Sequence, residues 1–183
     1  MKVGMIGAGL VAKTIASYAT AAGHSVVFTS RGAPTPDAIA ASDLVVLAVP
    51  WPSVAVALSV PPLLAGKILV DATNAFAKTS PRLVLADLGG RSSSEIVAAL
   101  ATGARVVKAF NSITMEHFAQ GPRRGDARRV LLVAGDDGAA KKVVISLIES
   151  FGFATIDMGD LATGRLSQAG GPLTTGADLL IGS

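Results

Sequence analysis

Apolar and polar residues alternate along the chain in a pattern that predicts a regular succession of short strands and helices. Apolar runs with the length of buried strands occupy residues 2–6, 24–30, 43–49, 67–72, 105–110, 129–134 and 154–157. Segments suited to helices lie between them, most clearly at residues 10–22, 94–102 and 139–151. Gly23 is suited to end the first of these helices, and Asp137 to cap the last. This alternation predicts an α/β fold, with a doubly wound, mainly parallel sheet covered by helices on both faces.

A glycine motif joins the first predicted strand to the first predicted helix. In Gly7-Ala8-Gly9-Leu10-Val11-Ala12, Gly7 permits a sharp turn, Gly9 lets a pyrophosphate approach the backbone, and Ala12 lets the helix pack on the strand. The unpaired N–H groups at the start of the helix would face the phosphates. The motif therefore predicts a Rossmann-like dinucleotide site that includes Gly7, Gly9, Leu10 and Val11. The alternative is a purely structural turn.

The end of the second strand bears on the choice of cofactor. A site that prefers NAD usually carries an acidic residue there, about twenty residues after the glycines, to bind the ribose hydroxyls. This chain instead has Thr29-Ser30-Arg31. A hydroxyl and a guanidinium suit a 2′-phosphate, which an acid would repel. We therefore expect Ser30 and Arg31 to bind NADP, with a merely solvated Arg31 as the alternative.

The spacing after this strand is short. Only about a dozen residues separate Ser30 from Asp43, whereas a helix, a strand and a second helix usually need more. We therefore expect the third strand of the sheet to be reduced or missing. The adenine end of the site would then be more open than usual.

Three later strands end in loops with distinctive chemistry, and ligands of such sheets lie beyond the carboxyl ends of the strands. Pro50 and Trp51 could wall a nicotinamide ring, while Asn74 and Asn111 could orient its ribose or carboxamide. Ordinary turn chemistry is the alternative for each loop. The cofactor-binding candidates from these loops are Val49, Pro50, Trp51, Asn74, Ala109 and Asn111.

Composition narrows the classes of function. The 183 residues are 50% hydrophobic and 16% charged, which suits a single domain over residues 1–183 with a C-terminal tail at 164–183. A net charge of +3 with only 4% aromatic residues gives little reason to expect a nucleic-acid partner. The chain has no cysteine and two histidines, so we expect no disulfide, no catalytic thiolate and no metal site.

Two charged clusters have simple interpretations. The four arginines Arg123, Arg124, Arg128 and Arg129 are expected to form a solvated loop, with the steering of an anionic acceptor as the alternative. The pair Asp136-Asp137 is expected to serve helix capping rather than metal binding.

The uncharged run at residues 44–66 is long enough to span a membrane. Four prolines, Pro50, Pro52, Pro61 and Pro62, would interrupt such a helix repeatedly. The apolar N-terminus carries the glycine motif and lacks a small-residue cleavage site after it, so we expect no signal peptide. The expectation is a cytoplasmic protein with no membrane partner.

These motifs occur in the order found in one known family. The chain resembles the NADP oxidoreductases that depend on coenzyme F420, from the glycine motif to about Arg165. The further segments that carry the resemblance are Ser30-Arg31, Val49-Pro50-Trp51, Asp71-Ala72-Thr73-Asn74, Ser94-Glu95, Val106-Val107-Lys108-Ala109-Phe110-Asn111, Gly135-Asp136-Asp137 and Asp157-Met158-Gly159. The resemblance implies a Rossmann-like domain that binds NADPH and exchanges a hydride with a deazaflavin, with the phosphate and nicotinamide contacts on the matching residues. Related domains reduce flavins that pass electrons to metals.

Two departures from the family pattern leave the acceptor open. The chain is short after Arg31, and the tail with Gly170-Gly171-Pro172-Leu173 lacks the longer helical ending of the deazaflavin enzymes. We expect the tail to build part of the substrate pocket or a homodimer contact. We expect no separate helical substrate domain, so the acceptor would lie in an open cleft or under a partner's tail.

The predicted reaction is direct hydride transfer from NADPH to a small-molecule acceptor stacked on it, such as F420 or a flavin. The protein would supply position and a dry pocket, and little side-chain acid would be needed. One alternative is the reduction of a small ketone or imine, for which His117 is a candidate proton donor. A second alternative is a non-catalytic NADP-binding redox sensor.

Overall fold

The structure of this protein is a computed structural model that describes residues 1–29, 36–59, 64–174 and 177–182. Its strands are β1 Lys2–Ile6, β2 Ser25–Thr29, β3 Leu44–Leu47, β4 Ile68–Asp71, β5 Phe76–Lys78, β6 Val84–Leu85, β7 Arg105–Lys108, β8 Arg123–Arg124, β9 Ala127–Gly135, β10 Ala154–Asp157 and β11 Leu180–Ile181. Its α-helices are α1 Leu10–Ala21, α2 Pro36–Ala40, α3 Val54–Leu58, α4 Ser93–Leu100, α5 Met115–Gln120 and α6 Gly138–Ser150. Two 3₁₀ turns occupy Trp51–Ser53 and Thr163–Leu166.

The central sheet has the order β10-β9-β7-β4-β3-β1-β2. The five strands from β7 to β2 are parallel, and β1 lies between β2 and β3. Because the chain crosses to one side of β1 and then to the other, the strand order reverses there and opens a crevice at the carboxyl ends. The prediction of a Rossmann-like, doubly wound and mainly parallel sheet is confirmed.

The far edge of the sheet runs in the opposite direction. β9 is antiparallel to β7, and only its end overlaps β7, with Val107 opposite Gly135 and Lys108 opposite Ala134. β10 in turn is parallel to β9. After β7 the chain forms α5 and turns back tightly at Gly125, whose φ is 59°, so β9 enters the sheet from the carboxyl edge. The sheet is therefore mainly parallel, as predicted, with one antiparallel step between β7 and β9.

Among the described residues, β2 is the edge strand beside β1, in agreement with the predicted reduction of the third strand. Residues 30–35, which follow β2, lie outside the described residues. The helix α2 then leads to β3, and the Ser42 hydroxyl closes its last turn by donating to the Ala38 carbonyl at 2.8 Å.

Two apolar layers enclose the sheet. Every residue of β3 and β4 is buried, as expected for strands covered on both faces. One layer joins the sheet to α1, α5 and α6, and its members include Met5, Ile15, Val46, Val70, Phe118, Leu147 and Phe153. The other joins the sheet to α3 and α4, and its members include Val45, Leu47, Val54, Leu69, Val97 and Val106.

The tail returns to the sheet through β11, which pairs with β9 in antiparallel fashion. Asp178, just before β11, accepts hydrogen bonds from Arg129 at 2.8 and 3.2 Å. Arg129 is only 3% exposed, so the prediction that it belongs to a solvated loop was wrong: it sits within β9 and anchors the tail. Arg123, Arg124 and Arg128 are exposed, as expected.

Asp137 caps α6 by accepting from the Ala140 amide at 2.8 Å, as predicted. The Asp136 carboxylate accepts from the Leu161 amide at 2.9 Å and so holds the segment that follows β10. None of the helices in the described ranges combines the length and the apolar character needed to cross a membrane.

Candidate functional site

The glycine loop joins β1 to α1 and is shaped by close backbone packing. Gly7 has a φ of 113°, and a Cβ at this position would overlap the carbonyl oxygen of Ala48. The Gly7 amide donates to the Thr29 carbonyl at 3.1 Å, which ties the loop to the end of β2. Around Gly9 the situation is different, because a Cβ there would meet no atom within 4 Å. Protein backbone therefore fills the space beside Gly7, whereas the space beside Gly9 is free for a ligand.

The start of α1 differs from the starts of three other helices. Ser92, Thr114 and Asp137 cap α4, α5 and α6 with side-chain oxygens. The N-cap of α1 is Gly9, and no side chain caps this helix; its first turn also contains no acidic residue. Within the described part of the chain, the first N–H groups of α1 consequently have no capping side chain, and their partial positive charge faces the open space above the loop.

The turn after β3 forms the opposite wall. Pro50, at φ −57° and ψ 143°, directs the chain away from the sheet into the 3₁₀ turn that begins at Trp51. The Trp51 and Val49 side chains are partly buried and pack against the apolar layer under α3. The Trp51 side chain is thus supported by this apolar layer, and its exposed part faces the crevice.

A buried ion pair lies where β4 and β7 end. Asp71 and Lys108 occupy paired positions on these strands, and Lys108 Nζ lies 3.0 Å from Asp71 Oδ2 with the two side chains 1% and 0% exposed. Lys108 Nζ also donates to the Thr73 carbonyl at 2.6 Å and to the Ser93 hydroxyl at 3.3 Å. All three ammonium protons therefore have acceptors, which a buried lysine requires.

The Asp71 carboxylate is equally well satisfied. It accepts from the Ser94 hydroxyl at 2.6 Å and from the Thr73 amide and hydroxyl at 2.9 and 2.7 Å. Burial alone would raise the pKa of Asp71, but the Lys108 ammonium and these hydrogen bonds outweigh it and hold that pKa below its ordinary value. The network fixes the backbone of Thr73 and, through it, the position of Asn74.

Sequence reasoning did not assign this ion pair a role. Both residues lie in segments that carry the family resemblance. The available signal was a charged residue near the end of each of two buried apolar runs, and a buried charge requires a partner. Only the strand register shows that these two residues face each other.

Two asparagine side chains lie beside this network. Asn74 Nδ2 donates to the Asn111 carbonyl at 3.4 Å, and Asn111 Nδ2 donates to the Ser167 carbonyl at 2.7 Å. Their amide oxygens, Asn74 Oδ1 and Asn111 Oδ1, are buried without a hydrogen-bond partner in the described residues. Phe110, which precedes Asn111, has a φ of 65°, a strained conformation that often marks functional sites.

A cavity of about 420 Å³ unites most of the predicted cofactor-binding residues. Seven of them line it: Gly9, Leu10, Val11, Val49, Pro50, Trp51 and Asn74. Three others, Gly7, Ala109 and Asn111, are not part of the lining but build the backbone and contacts behind it. Ser30 and Arg31 lie outside the described residues.

One wall of this cavity is formed by a hairpin that the sequence analysis did not predict. The hairpin consists of the antiparallel strands β5 and β6. Its residues Phe76, Ala77 and Lys78, together with Thr79, line the cavity. A short hairpin such as this is hard to recognise because β5 has three residues and β6 has two. The turn residues Ser80-Pro81 were the available signal.

His117 lies elsewhere in the fold. It belongs to the first turn of α5, where its amide donates to the Thr114 hydroxyl at 3.1 Å. Its Nδ1 is 3.8 Å from Asp178 Oδ1, so it faces the anchor of the tail. The lining of the cavity does not include His117, and its role as a proton donor stays a prediction.

Comparisons with known proteins agree with this description of the fold. No protein-family profile matches the chain. The crystal structure of SMa0349 from Sinorhizobium meliloti superposes with a TM-score of 0.82 and 34% identity, over 100% of this chain and 96% of that one. A protein of Arthrobacter sp. FB24, provisionally assigned as an F420-dependent NADP reductase, has a TM-score of 0.79 and 29% identity, with 90% and 87% coverage.

Among curated proteins, the metalloreductase STEAP3 of Rattus norvegicus is 32% identical over 182 residues. The match covers 92% of this chain and 36% of STEAP3, so the chain spans about a third of the length of the curated relatives it matches. The two crystal structures, by contrast, match over nearly their whole length. The glycine loop, the switch-point crevice and this likeness show that the chain belongs to one family of Rossmann-like proteins with SMa0349, and that it is similar to the Arthrobacter protein assigned as an F420-dependent NADP reductase.

Proposed function

We propose that this protein binds NADPH in the cavity between the glycine loop and Trp51 and catalyses hydride transfer to a planar acceptor, a deazaflavin such as F420 or a flavin. One observation carries the proposal. A single cavity of about 420 Å³ joins the open, uncapped start of α1 to the loops at the carboxyl ends of β3 and β4. A dinucleotide needs these two features together: an anion site at one end and a ring site at the other.

The pyrophosphate would lie over Gly9. The space above this glycine is open, and no side chain of residues 1–29, 36–59, 64–174 or 177–182 caps the first N–H groups of α1. A side-chain cap such as those of α4, α5 and α6 would compete for these donors. Its absence leaves them available to the phosphate oxygens.

The 2′-phosphate would be bound by Ser30 and Arg31. Thr29, the last residue of β2, holds the Gly7 amide through its carbonyl, so the sequence places Ser30 and Arg31 directly after the strand that borders the glycine loop. No acidic residue stands at this point of the chain. A guanidinium there favours NADP over NAD.

The nicotinamide would be oriented by Asn74 and Asn111. Asn74 lines the cavity, and its amide oxygen lacks a donor in the described residues, so a carboxamide NH₂ is a donor group that suits it. Asn111 lies behind the lining and would act through Asn74, whose Nδ2 donates to the Asn111 carbonyl at 3.4 Å. Pro50 and Trp51 offer a rigid apolar wall for the ring. These residues would bind and orient the cofactor and exclude water from the transferred hydride.

The acceptor class follows from the proton donors that the described lining of the cavity offers. When bound, NADPH supplies a hydride, and a planar deazaflavin or flavin can accept it without a side-chain acid at the reacting atom. Thr73 donates its hydroxyl proton to Asp71, so this hydroxyl is committed elsewhere. A ketone or imine would need a positioned proton donor. The donors Lys78 and Thr79 line the cavity but are exposed side chains, which makes a planar acceptor the better candidate.

The experiment mixes the purified protein with NADPH and follows absorbance at the nicotinamide band. F420, FMN, FAD, a simple ketone and a cyclic imine are added in turn. We expect oxidation with F420 or a flavin and none with the ketone or imine. NADPH binding with no oxidation by any acceptor would contradict the enzyme and support the sensor, whereas oxidation only by the imine or the ketone would replace the planar acceptor.

A further inference from the structure

A second cavity, of about 510 Å³, lies between the end of the hairpin and the C-terminal tail. One side is formed by the chain from Leu85 to Arg91 and the other by the chain from Arg165 to Pro172. None of the predicted cofactor residues that the structure describes lines it. The tail motif Gly170-Gly171-Pro172, which the proposed function leaves without a role, forms part of its wall.

The glycines of the tail create this cavity by close approach. A Cβ on Gly170 would come within 2.6 Å of Leu85 Cδ1, and a Cβ on Gly171 would overlap the carbonyl oxygen of Arg165. Gln168 adds a further restraint, because its side-chain oxygen accepts from the Ser93 amide at 2.7 Å. The tail is therefore held against the hairpin and the start of α4, and the cavity between them is a built feature of the fold.

The charges in this cavity favour an anion. Arg91 and Arg165 line it, and within the described part of the chain neither guanidinium makes a hydrogen bond or an ion pair. Asp87 also lines it, but its Oδ1 accepts from the Gly89 amide at 2.9 Å and closes its own turn. Two guanidinium groups against one carboxylate leave a positive balance, and guanidinium forks suit phosphate and carboxylate.

A thin wall at Ala75 separates the two cavities, and both cavities open to solvent, so an extended acceptor can reach across this wall from one to the other. Asn74 and Phe76 line the proposed NADPH cavity, whereas Ala75 between them lines the second one. The carbonyl of Ala75 accepts from the Ala86 amide at 2.9 Å, which fixes this wall to the hairpin. A ring near Asn74 therefore lies one residue away from the second cavity.

We propose that this cavity binds the anionic side chain of the acceptor, a phosphate or carboxylate group, through Arg91 and Arg165. The inference rests on the proposed function, because it assigns the ring of the acceptor to the first cavity and its anionic group to the second. It explains why the tail is packed on the hairpin. It also predicts that binding of anionic acceptors weakens as salt concentration rises.

The test compares acceptor pairs that share a ring and differ in charge: FMN with riboflavin, and F420 with its uncharged deazaflavin core. Binding to the NADP⁺-saturated protein is measured by fluorescence of the ring. The wild type should bind the anionic member of a pair about tenfold or more tightly, as expected for charge-assisted contacts. The double variant R91A/R165A should bind both members equally, and Asp87→Asn should increase the preference.

The double variant R82A/R128A is the matched control, since it removes the same charge from two exposed arginines outside this cavity. It should keep the preference for the anionic member. Competition by inorganic phosphate or by glutarate then distinguishes a phosphate from a carboxylate. Equal binding within both pairs by the wild type, or a preference that survives in R91A/R165A, would overturn the inference. Failure of the proposed function shows separately, as absence of NADPH binding or oxidation.

Discussion

Asp71 and Lys108 form an ion pair of 3.0 Å in which both side chains are almost completely buried. The pair joins the ends of β4 and β7 and reaches, through Thr73 and Ser93, both the cavity wall at Asn74 and the start of α4. A pair with this many hydrogen bonds satisfies every charge it buries. It stabilises the strand ends on which the proposed nicotinamide contacts depend.

Replacement of Lys108 by Met should destabilise the fold by about 3–5 kcal/mol, because it leaves the buried Asp71 carboxylate without its counter-ion. The measurement is the free energy of unfolding in urea. Lys141→Met is the control, since Lys141 pairs with Asp157 at 2.8 Å but the Asp157 side chain is 45% exposed, and its loss should cost about 1 kcal/mol or less. The double variant K108M/D71N should recover stability relative to K108M. Equal losses in K108M and K141M would show that the buried pair has no special role.

The Asp71 carboxyl should also make stability depend on pH. Because its pKa is below the ordinary value in the folded protein, the unfolded chain takes up its proton first as pH falls. The stabilisation is fully present above about pH 4, the range of an ordinary aspartate, and is lost as pH falls through the folded pKa. Urea unfolding of the wild type and of K108M/D71N between pH 2.5 and 7 tests this. We expect a shallower acid slope in the double variant, and identical slopes would refute the assignment.

Sequence and structure agree where local rules decide the outcome. The glycine motif, the buried runs and the Asp137 cap depend on residues within a few positions of one another, so spacing alone predicts them. Gly9, Trp51 and Asn74 lie far apart in sequence but each follows a parallel strand, and the rule that such strands end at one edge is enough to bring them together.

The errors arise where a distant segment decides the outcome. Arg129 looks like part of a basic surface loop until Asp178, 49 residues later, supplies its partner. The pattern of apolar runs also does not predict which strand of the mainly parallel sheet is reversed, because the direction of β9 depends on the turn at Gly125. Lys108 and Asp71 look like ordinary strand ends until their registers are known. None of these partners can be read from local periodicity.

Gly9→Ala and Gly7→Ala should separate cofactor binding from folding. A Cβ at position 9 meets no atom of the protein, so Gly9→Ala should fold normally but lose about tenfold or more of its NADPH affinity, because the methyl group occupies the proposed phosphate site. At position 7 the φ of 113° and the Ala48 carbonyl oppose any side chain. Gly7→Ala should therefore also lose about 1–3 kcal/mol of stability. Nicotinamide fluorescence and urea unfolding measure the two effects, and unchanged NADPH affinity in Gly9→Ala would contradict the proposed site.

Arg31→Ala should weaken NADPH binding by about 1.5–3 kcal/mol, the value of a lost hydrogen bond to a charged group, and leave NADH binding nearly unchanged. The reason is that the two cofactors differ only in the 2′-phosphate, which the guanidinium is proposed to bind. Titrations of both cofactors by nicotinamide fluorescence, with Arg82→Ala as a control for the loss of one exposed positive charge, measure the difference. If Arg31→Ala weakens NADPH and NADH binding equally, Arg31 does not bind the phosphate and is the solvated loop residue of the alternative interpretation. A selective loss would assign the NADP preference to the short segment after β2.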